Sequence, residues 1–373
     1  MPFAPRTLAD FAAHGFDTVI DARAPSEFAE DRLPGAVNLP VLSDAERARV
    51  GTVYVQQSAF RARKIGAALV ARNLAGHLEG PLAEMEGGWR PLVYCWRGGQ
   101  RSGAFAAILG QIGWRVEVLE GGYRRFRRMV KAALYDAPPP CPVVLLDGDT
   151  GTGKTALLPR LAARGVQVLD LEGLAAHRGS VLGPVDRPQP SQKGFESALA
   201  MALAGLDPAR PVVVEAESSR IGERMIPPGL WSAMRGAPRM EIAAPPAARA
   251  AFLARAYADM TAEPERLLAR LEQLVPFHGR AAVEAWAALV HEREWERLAA
   301  ELMERHYDPR YAKSRARRGG GGPDRGAGAD GPARGAQTGT VLARFEAEGL
   351  DDAGLDALAD ALAAELARRA SAG

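Results

Sequence analysis

Two stretches of this chain gather reactive or anion-binding groups into a tight loop. The first is Cys95-Trp96-Arg97-Gly98-Gly99-Gln100-Arg101-Ser102-Gly103, with the spacing C-x5-R. A glycine-rich loop that leads into a helix can point several backbone N–H groups at one centre, where they bind an anion and lower a thiol pKa. Arg97 and Arg101 strengthen both effects. Cys95 is therefore the candidate nucleophile, able to carry sulfur or selenium as an adduct, with Arg97 and Arg101 as its anion-binding arms. Tyrosine-phosphatase-like loops share this spacing, so spacing alone does not choose the reaction.

The second stretch is Gly148-Asp149-Thr150-Gly151-Thr152-Gly153-Lys154-Thr155, which matches the P-loop pattern G-x-x-x-x-G-K-[ST] at every fixed position. Gly148, Gly151 and Gly153 let backbone N–H groups cradle phosphate oxygens at a helix N-terminus. Lys154 would bind a terminal phosphate, and the Thr155 hydroxyl would adjoin a Mg²⁺ ion. Two acid pairs, Asp170 with Glu172 and Glu215 with Glu217, each follow an apolar strand pattern and are candidates for a metal ligand or a base. The loop reads phosphate and not base, so ATP and another diphosphate stand as alternatives.

Both loops need a strand before them and a helix after them. Asp17–Asp21, Leu92–Tyr94 and Trp114–Leu119 read as strands, with a helix over Ser102–Gly110. After Ala137-Pro138-Pro139-Pro140, a stiff break, a second set begins. It has strands at Pro142–Leu146, Val166–Asp170 and Pro211–Glu215, a helix at Thr155–Arg164, and amphipathic helices from about Arg249 to Arg305. The expected fold is α/β throughout: a parallel-sheet domain over residues 1–137 and a P-loop NTPase-like α/β domain with a helical part over 138–314. Residues 315–340 read as a flexible Gly/Arg-rich linker, and 341–373 as a helical tail, a pair broken near Gly349, dispensable for chemistry.

Composition removes other classes. With 373 residues, 47% of them apolar, the chain can build more than one core. Its net charge of +2 calls for a local basic patch if it binds nucleic acid. Arg124, Arg125, Arg127, Arg128 and Lys131 form one such cluster; Lys313, Arg315, Arg317 and Arg318 form another. The two cysteines and six scattered histidines lack metal-ligand spacing, so no structural zinc is expected, and Cys141 reads as a buried structural residue. There is no signal-peptide layout and no apolar run near the roughly 20 residues a membrane helix needs. A cytoplasmic setting without a membrane partner is expected.

The N-terminal part resembles rhodanese domains through Asp21–Phe28, Leu33–Pro40, the Cys95 loop and Leu119-Glu120-Gly121-Gly122-Tyr123, with Arg32 where such domains often carry histidine. A rhodanese domain followed by a P-loop domain is similar to the tRNA 2-selenouridine synthase family. Further matches are Leu169–Ser180, Gln189–Gln192, Phe195-Glu196, Glu215–Gly222, Ala237-Pro238 and His306–Tyr311, and the resemblance spans about residues 5–314. Leu182 stands where an aromatic is expected.

The resemblance implies a transferase that exchanges the sulfur of 2-thiouridine at the tRNA wobble position for selenium from selenophosphate. It also implies S-geranylation of the same sulfur from geranyl diphosphate as a first step, which gives the P-loop a diphosphate ligand without ATP. No firmly bound cofactor is expected; Mg²⁺ would accompany a diphosphate. The runner-up is a P-loop ATPase or kinase coupled to a sulfurtransferase domain. A non-enzymatic, nucleotide-gated binding module is the third reading, and the intact Cys95 loop argues against it.

Overall fold

The structure is a computed structural model that describes residues 2–180, 182–183, 185–309 and 339–372. It divides into two units, Met1–Ala137 with Pro190–Gly205, and Pro138–Gln189 with Leu206–Gly373.

In the first unit, β1 (Thr18–Asp21), β2 (Val37–Asn38), β3 (Pro91–Tyr94) and β4 (Glu117–Val118) form a parallel sheet in the order β2-β1-β3-β4. β3 is buried along its whole length, which is why its sequence is continuously apolar and does not alternate. Around the sheet lie α1 (Leu8–Ala12), α2 (Pro25–Glu30), α3 (Asp44–Gln56), α4 (Ala59–Glu79), α5 (Gln100–Ile112) and α6 (Gly122–Lys131). Ile20, Val93, Phe105 and Leu109 are fully buried in one cluster and clamp α5 to β1 and β3. That clamp fixes the loop between β3 and α5.

In the second unit, β5 (Val143–Gly148) runs into α7 (Lys154–Ala163), β6 (Gln167–Leu169) and the short α8 (Leu171–Ala175). The chain then passes through α9 (Gln192–Ala204), which belongs to the first unit, and returns in β7 (Val212–Glu215). A small hairpin, β8 (Arg220–Ile221) and β9 (Arg224–Met225), precedes α10 (Pro228–Gly236) and β10 (Arg239–Ala243). A helical layer follows: α11 (Pro246–Ala256), α12 (Ala258–Thr261), α13 (Pro264–Leu271), α14 (Val275–His278), α15 (Arg280–His291) and α16 (Trp295–Leu302). The last elements are β11 (Val341–Glu346) and α17 (Asp352–Ala372). The sheet is parallel throughout, in the order β11-β10-β5-β7-β6. The crossovers diverge on either side of β5, so the loop after β5 sits at the switch point where such sheets take ligands.

Two expectations are corrected here. The tail is not a helical pair. Val341–Glu346 adds a strand to β10, with Ile242 opposite Phe345, and α17 buries Leu355, Leu358, Ala359, Leu362 and Leu366 in the same core as Leu146, Leu157 and Leu161. Parallel pairing to an edge some hundred residues earlier leaves no local mark, and the segment's apolar spacing fits a helix as well. The units also part at 137/138, but Pro190–Gly205, expected in the P-loop domain, groups with the first unit. Ser197 of α9 donates to the buried Asp31 carboxylate at 2.9 Å, and Glu196 accepts from Tyr135 Oη at 2.7 Å and pairs with Arg127. The linker reading and the basic residues Lys313, Arg315, Arg317 and Arg318 fall outside the described residues, apart from Gly339 and Thr340. Among the described residues no helix is long and apolar enough to cross a membrane.

Candidate functional site

The thiol site is built at the C-terminal end of β3. Cys95 is buried, 3% exposed, and its sulfur accepts a hydrogen bond from the Ser102 hydroxyl at 3.2 Å. Burial pushes the thiol up, but the Ser102 hydroxyl and the N–H groups of Ser102, Arg97 and Gly99 outweigh it, and the pKa lies below the ordinary thiol value. The loop's carbonyls are turned the other way. The N–H of Tyr123 donates to the Cys95 carbonyl at 2.9 Å and that of Arg124 to the Trp96 carbonyl at 3.0 Å, so the start of α6 holds the loop with its amides facing the sulfur. Gly122 makes this approach feasible. Its φ is +57°, and a Cβ there would collide with the Cys95 carbonyl.

The two arginines differ in placement. Arg97 is exposed at the loop. Arg101 is half-buried, and its guanidinium pairs at 3.0 Å with Glu27 of α2, which also pairs with Arg47. Glu27 lies in the Asp21–Phe28 segment, so that segment holds Arg101 instead of leaving it for an anion. The basic cluster on α6 also splits. Arg125 pairs with Glu120, and Arg127 with Glu196, whereas Arg124, Arg128 and Lys131 are exposed. Cys141, in the second unit, is buried, and burial raises its thiol.

The phosphate-loop site lies at the C-terminal ends of β5 and β7, around a cavity of about 540 Å³. Gly148 ends β5, and the loop through Gly151 and Gly153 delivers Lys154 and Thr155 as the first residues of α7. Lys154 Nζ donates to the Gly148 carbonyl at 2.7 Å. Gly153 has φ +77°, and a Cβ there would meet Leu355 of α17 at 2.8 Å, so the C-terminal helix packs directly under the loop. The buried Arg249 braces the other side. It donates to the Thr150 carbonyl at 2.8 Å and pairs with Asp308 at 2.6 Å.

The acids separate as well. Glu172, Glu215 and Glu217 all line the cavity. The Thr155 hydroxyl is 2.8 Å from Glu215 and 3.1 Å from Glu172. Asp170 instead caps α8, accepting from the Gly173 N–H at 2.6 Å. Burial and the neighbouring Glu217 push Glu215 up to about 8, against the opposing pull of Thr155. Glu172 is also raised well above the ordinary range, by burial and by Glu215 and Glu217. Such crowding keeps protons bound at neutral pH. A carboxylate and a threonine hydroxyl are the hard oxygen donors that suit Mg²⁺ beside a bound phosphate, although no three His, Cys, Asp or Glu side chains among the described residues are grouped to hold a metal ion by themselves.

Several site residues were singled out by no motif chemistry. Arg178 lines the cavity, donates to Asp259 at 3.0 Å and lies over the Tyr257 ring, while its Nη1 is buried without a hydrogen-bond partner among the described residues. His306, on a π-helical turn over Met303–Tyr307, reaches the cavity and contacts His278 at 2.8 Å. Thr150, Leu253, Tyr257 and Tyr307 are shared with a second, apolar pocket of about 60 Å³, whose walls include Leu182, Met260, Trp295, Leu298 and Leu302. In the sequence, the departure at Leu182 and the His306–Tyr311 match touched this region.

The family profile described as the tRNA 2-selenouridine synthase AAA domain matches residues 141–278, and the rhodanese-like domain profile matches residues 5–129. The chain thus carries a rhodanese-like domain and a domain that is similar to the AAA domain of tRNA 2-selenouridine synthases. The tRNA 2-selenouridine synthase of Nitrosomonas europaea is 38% identical over 221 residues, covering 58% of this chain and 57% of that protein. Those of Shewanella halifaxensis and Salmonella arizonae are 37% and 39% identical, each covering 59% of this chain and 60% and 61% of their own lengths. The aligned part of the chain thus spans less than two thirds of these tRNA 2-selenouridine synthases.

Proposed function

We propose that this chain is a transferase that replaces the sulfur of 2-thiouridine at the tRNA wobble position with selenium from selenophosphate, through an S-geranylated intermediate made from geranyl diphosphate. The observation that carries the reading is a thiolate-stabilising loop in the same chain as a phosphate loop whose cavity shares a wall with an apolar pocket. An apolar pocket beside a phosphate loop suits a prenyl diphosphate, whose hydrocarbon chain has no polar atom to satisfy. The names of the relatives support the reaction class.

In the first half-reaction the thiocarbonyl sulfur attacks C1 of the geranyl group, the C–O bond breaks and diphosphate leaves with the electron pair. The N–H groups of the loop, Lys154 and the open Nη1 of Arg178 stabilise the charge that develops on the leaving group. Mg²⁺ would be held by Thr155 and Glu215 and would supply further charge neutralisation. In the second half-reaction the selenium of selenophosphate attacks C2 and geranylthiol departs with the C2–S electron pair and a proton; water then cleaves the Se–P bond, phosphate leaves and N3 regains its proton, with Cys95 as the residue that handles the chalcogen. tRNA phosphates would meet the exposed Arg124, Arg128 and Lys131. A reducing cytoplasm would keep Cys95 a free thiol.

The test is calorimetric titration of wild type, Lys154→Ala and the pocket-filling Leu298→Trp with geranyl diphosphate and with ATP, alongside nucleoside mass spectrometry of 2-thiouridine tRNA treated with selenophosphate. Lys154→Ala should weaken geranyl diphosphate by at least roughly tenfold, the scale of one lost charge-assisted hydrogen bond, and Leu298→Trp should weaken it by blocking the apolar pocket. ATP binding weakened by Lys154→Ala alone, with no binding of geranyl diphosphate, would instead establish the P-loop ATPase or kinase reading.

A further inference from the structure

We propose that Trp96 is the platform on which the target base stacks beside Cys95; this rests on the reading of the chain as a 2-thiouridine-modifying enzyme. Trp96 directly follows the nucleophilic cysteine, yet it is 38% exposed. Its ring leans on Tyr123, with ring centroids 5.2 Å apart and planes inclined by 37°. The Arg23 guanidinium lies over the Tyr123 ring, 4.0 Å from its centroid.

Both supports are fixed in place. Arg23 is 1% exposed, pairs with Asp21 at 2.6 Å and donates to the Asp31 carbonyl at 2.6 Å. Tyr123 is 3% exposed and its hydroxyl donates to the Asp31 carboxylate at 2.7 Å. The Trp96 backbone is tied to α6 by the Arg124 N–H at 3.0 Å. An aromatic ring supported on one side and wet on the other loses little entropy when a second flat ring covers it.

The surroundings favour a nucleobase over another flat ligand. Arg124, Arg128 and Lys131 are exposed and recur at i, i+4 and i+7, so they share one face of α6, which starts where the Trp96 backbone is anchored. Arg125 and Arg127, on the intervening positions, are held by Glu120 and Glu196. An exposed aromatic beside a row of cations with no ion-pair partner among the described residues is the arrangement that binds unpaired RNA, with the ring taking a base and the cations the phosphates. The occupant is thus a single-stranded RNA loop.

The experiment measures binding of an anticodon stem-loop carrying 2-thiouridine, and of the same RNA with an abasic wobble position, to the full-length chain and its Trp96→Ala and Trp96→Phe variants. Trp96→Ala should bind the 2-thiouridine RNA about 5- to 150-fold more weakly, and Trp96→Phe should retain most of the affinity. The abasic RNA should bind wild type as weakly as Trp96→Ala binds the intact RNA, with no further loss in the variant. The pH profile of Cys95 alkylation should be the same in wild type and Trp96→Ala.

Equal weakening of both RNAs by Trp96→Ala would overturn the proposal in favour of a backbone or protein contact. A displaced alkylation profile would overturn it in favour of structural support for the thiol loop, and unchanged affinity would remove any binding role. Each of these leaves the 2-thiouridine reading intact. No binding of the RNA by wild type would end both.

Discussion

Removing residues 339–373 should unfold the P-loop unit. The truncation takes away β11 and α17, and with them five buried leucines, Leu350, Leu355, Leu358, Leu362 and Leu366. Burying a leucine contributes about 1.5–3 kcal/mol, so together they account for about 8–15 kcal/mol, an upper estimate because denatured chains already bury some surface. The stability of a whole domain is about 5–15 kcal/mol. The loss is therefore as large as the quantity it is subtracted from. It also bares the β10 edge and removes Leu355 from beneath Gly153 of the phosphate loop. The assay is hydrogen exchange read by mass spectrometry, which localises protection to β5 and β10 in a chain whose two units need not unfold together. Because the truncated chain can aggregate, Leu362→Ala is the companion variant. Leu362 is fully buried, and its truncation to alanine should lower stability by about 2–5 kcal/mol in urea unfolding while the chain still folds. Full protection of β5 and β10 after truncation, with an unchanged urea midpoint, would refute the reasoning.

Two further outcomes follow from the pKa shifts. Ser102→Ala removes the side-chain donor that helps hold the Cys95 thiol low, so the alkylation profile should move to higher pH and alkylation near neutral pH should slow by roughly tenfold, as expected for one lost hydrogen bond to a charged group; an unmoved profile would leave the backbone amides as the whole cause. Glu215 has its folded-state pKa raised to about 8, so the stability it contributes is fully present below the ordinary carboxylate range and is lost as pH rises through about 8. In chelator, wild type should therefore be less stable at about pH 9 than at about pH 6, and Glu215→Gln should flatten that difference; an equal slope in the variant would assign the loss to another group.

The sequence by itself determined the chemistry-bearing loops and the elements that carry them. Cys95 and Lys154 each sit between a strand and a helix as read, because glycines and the strand-turn-helix pattern act within a dozen residues. β1, β3, β5, β6, β7 and α7 lie where the apolar runs placed them, and β4 shrank to Glu117–Val118. Tertiary structure alone decided what distance in the chain conceals. Arg124 and Arg125 are neighbours of identical type, yet one is exposed and the other paired, because Glu120 is within reach of only one face of α6. Glu172 and Glu215 meet across Thr155 only once β5, β6 and β7 are side by side, and their raised pKa values come from burial there and from the neighbouring Glu217, with Glu215 also raising Glu172. The apolar pocket draws its walls from Leu182 to Tyr307, and β11 finds its partner about a hundred residues away. Local patterns encode a residue's own conformation, whereas its neighbours in space, and hence its burial, pairing and charge, are set by contacts that no short window of sequence contains.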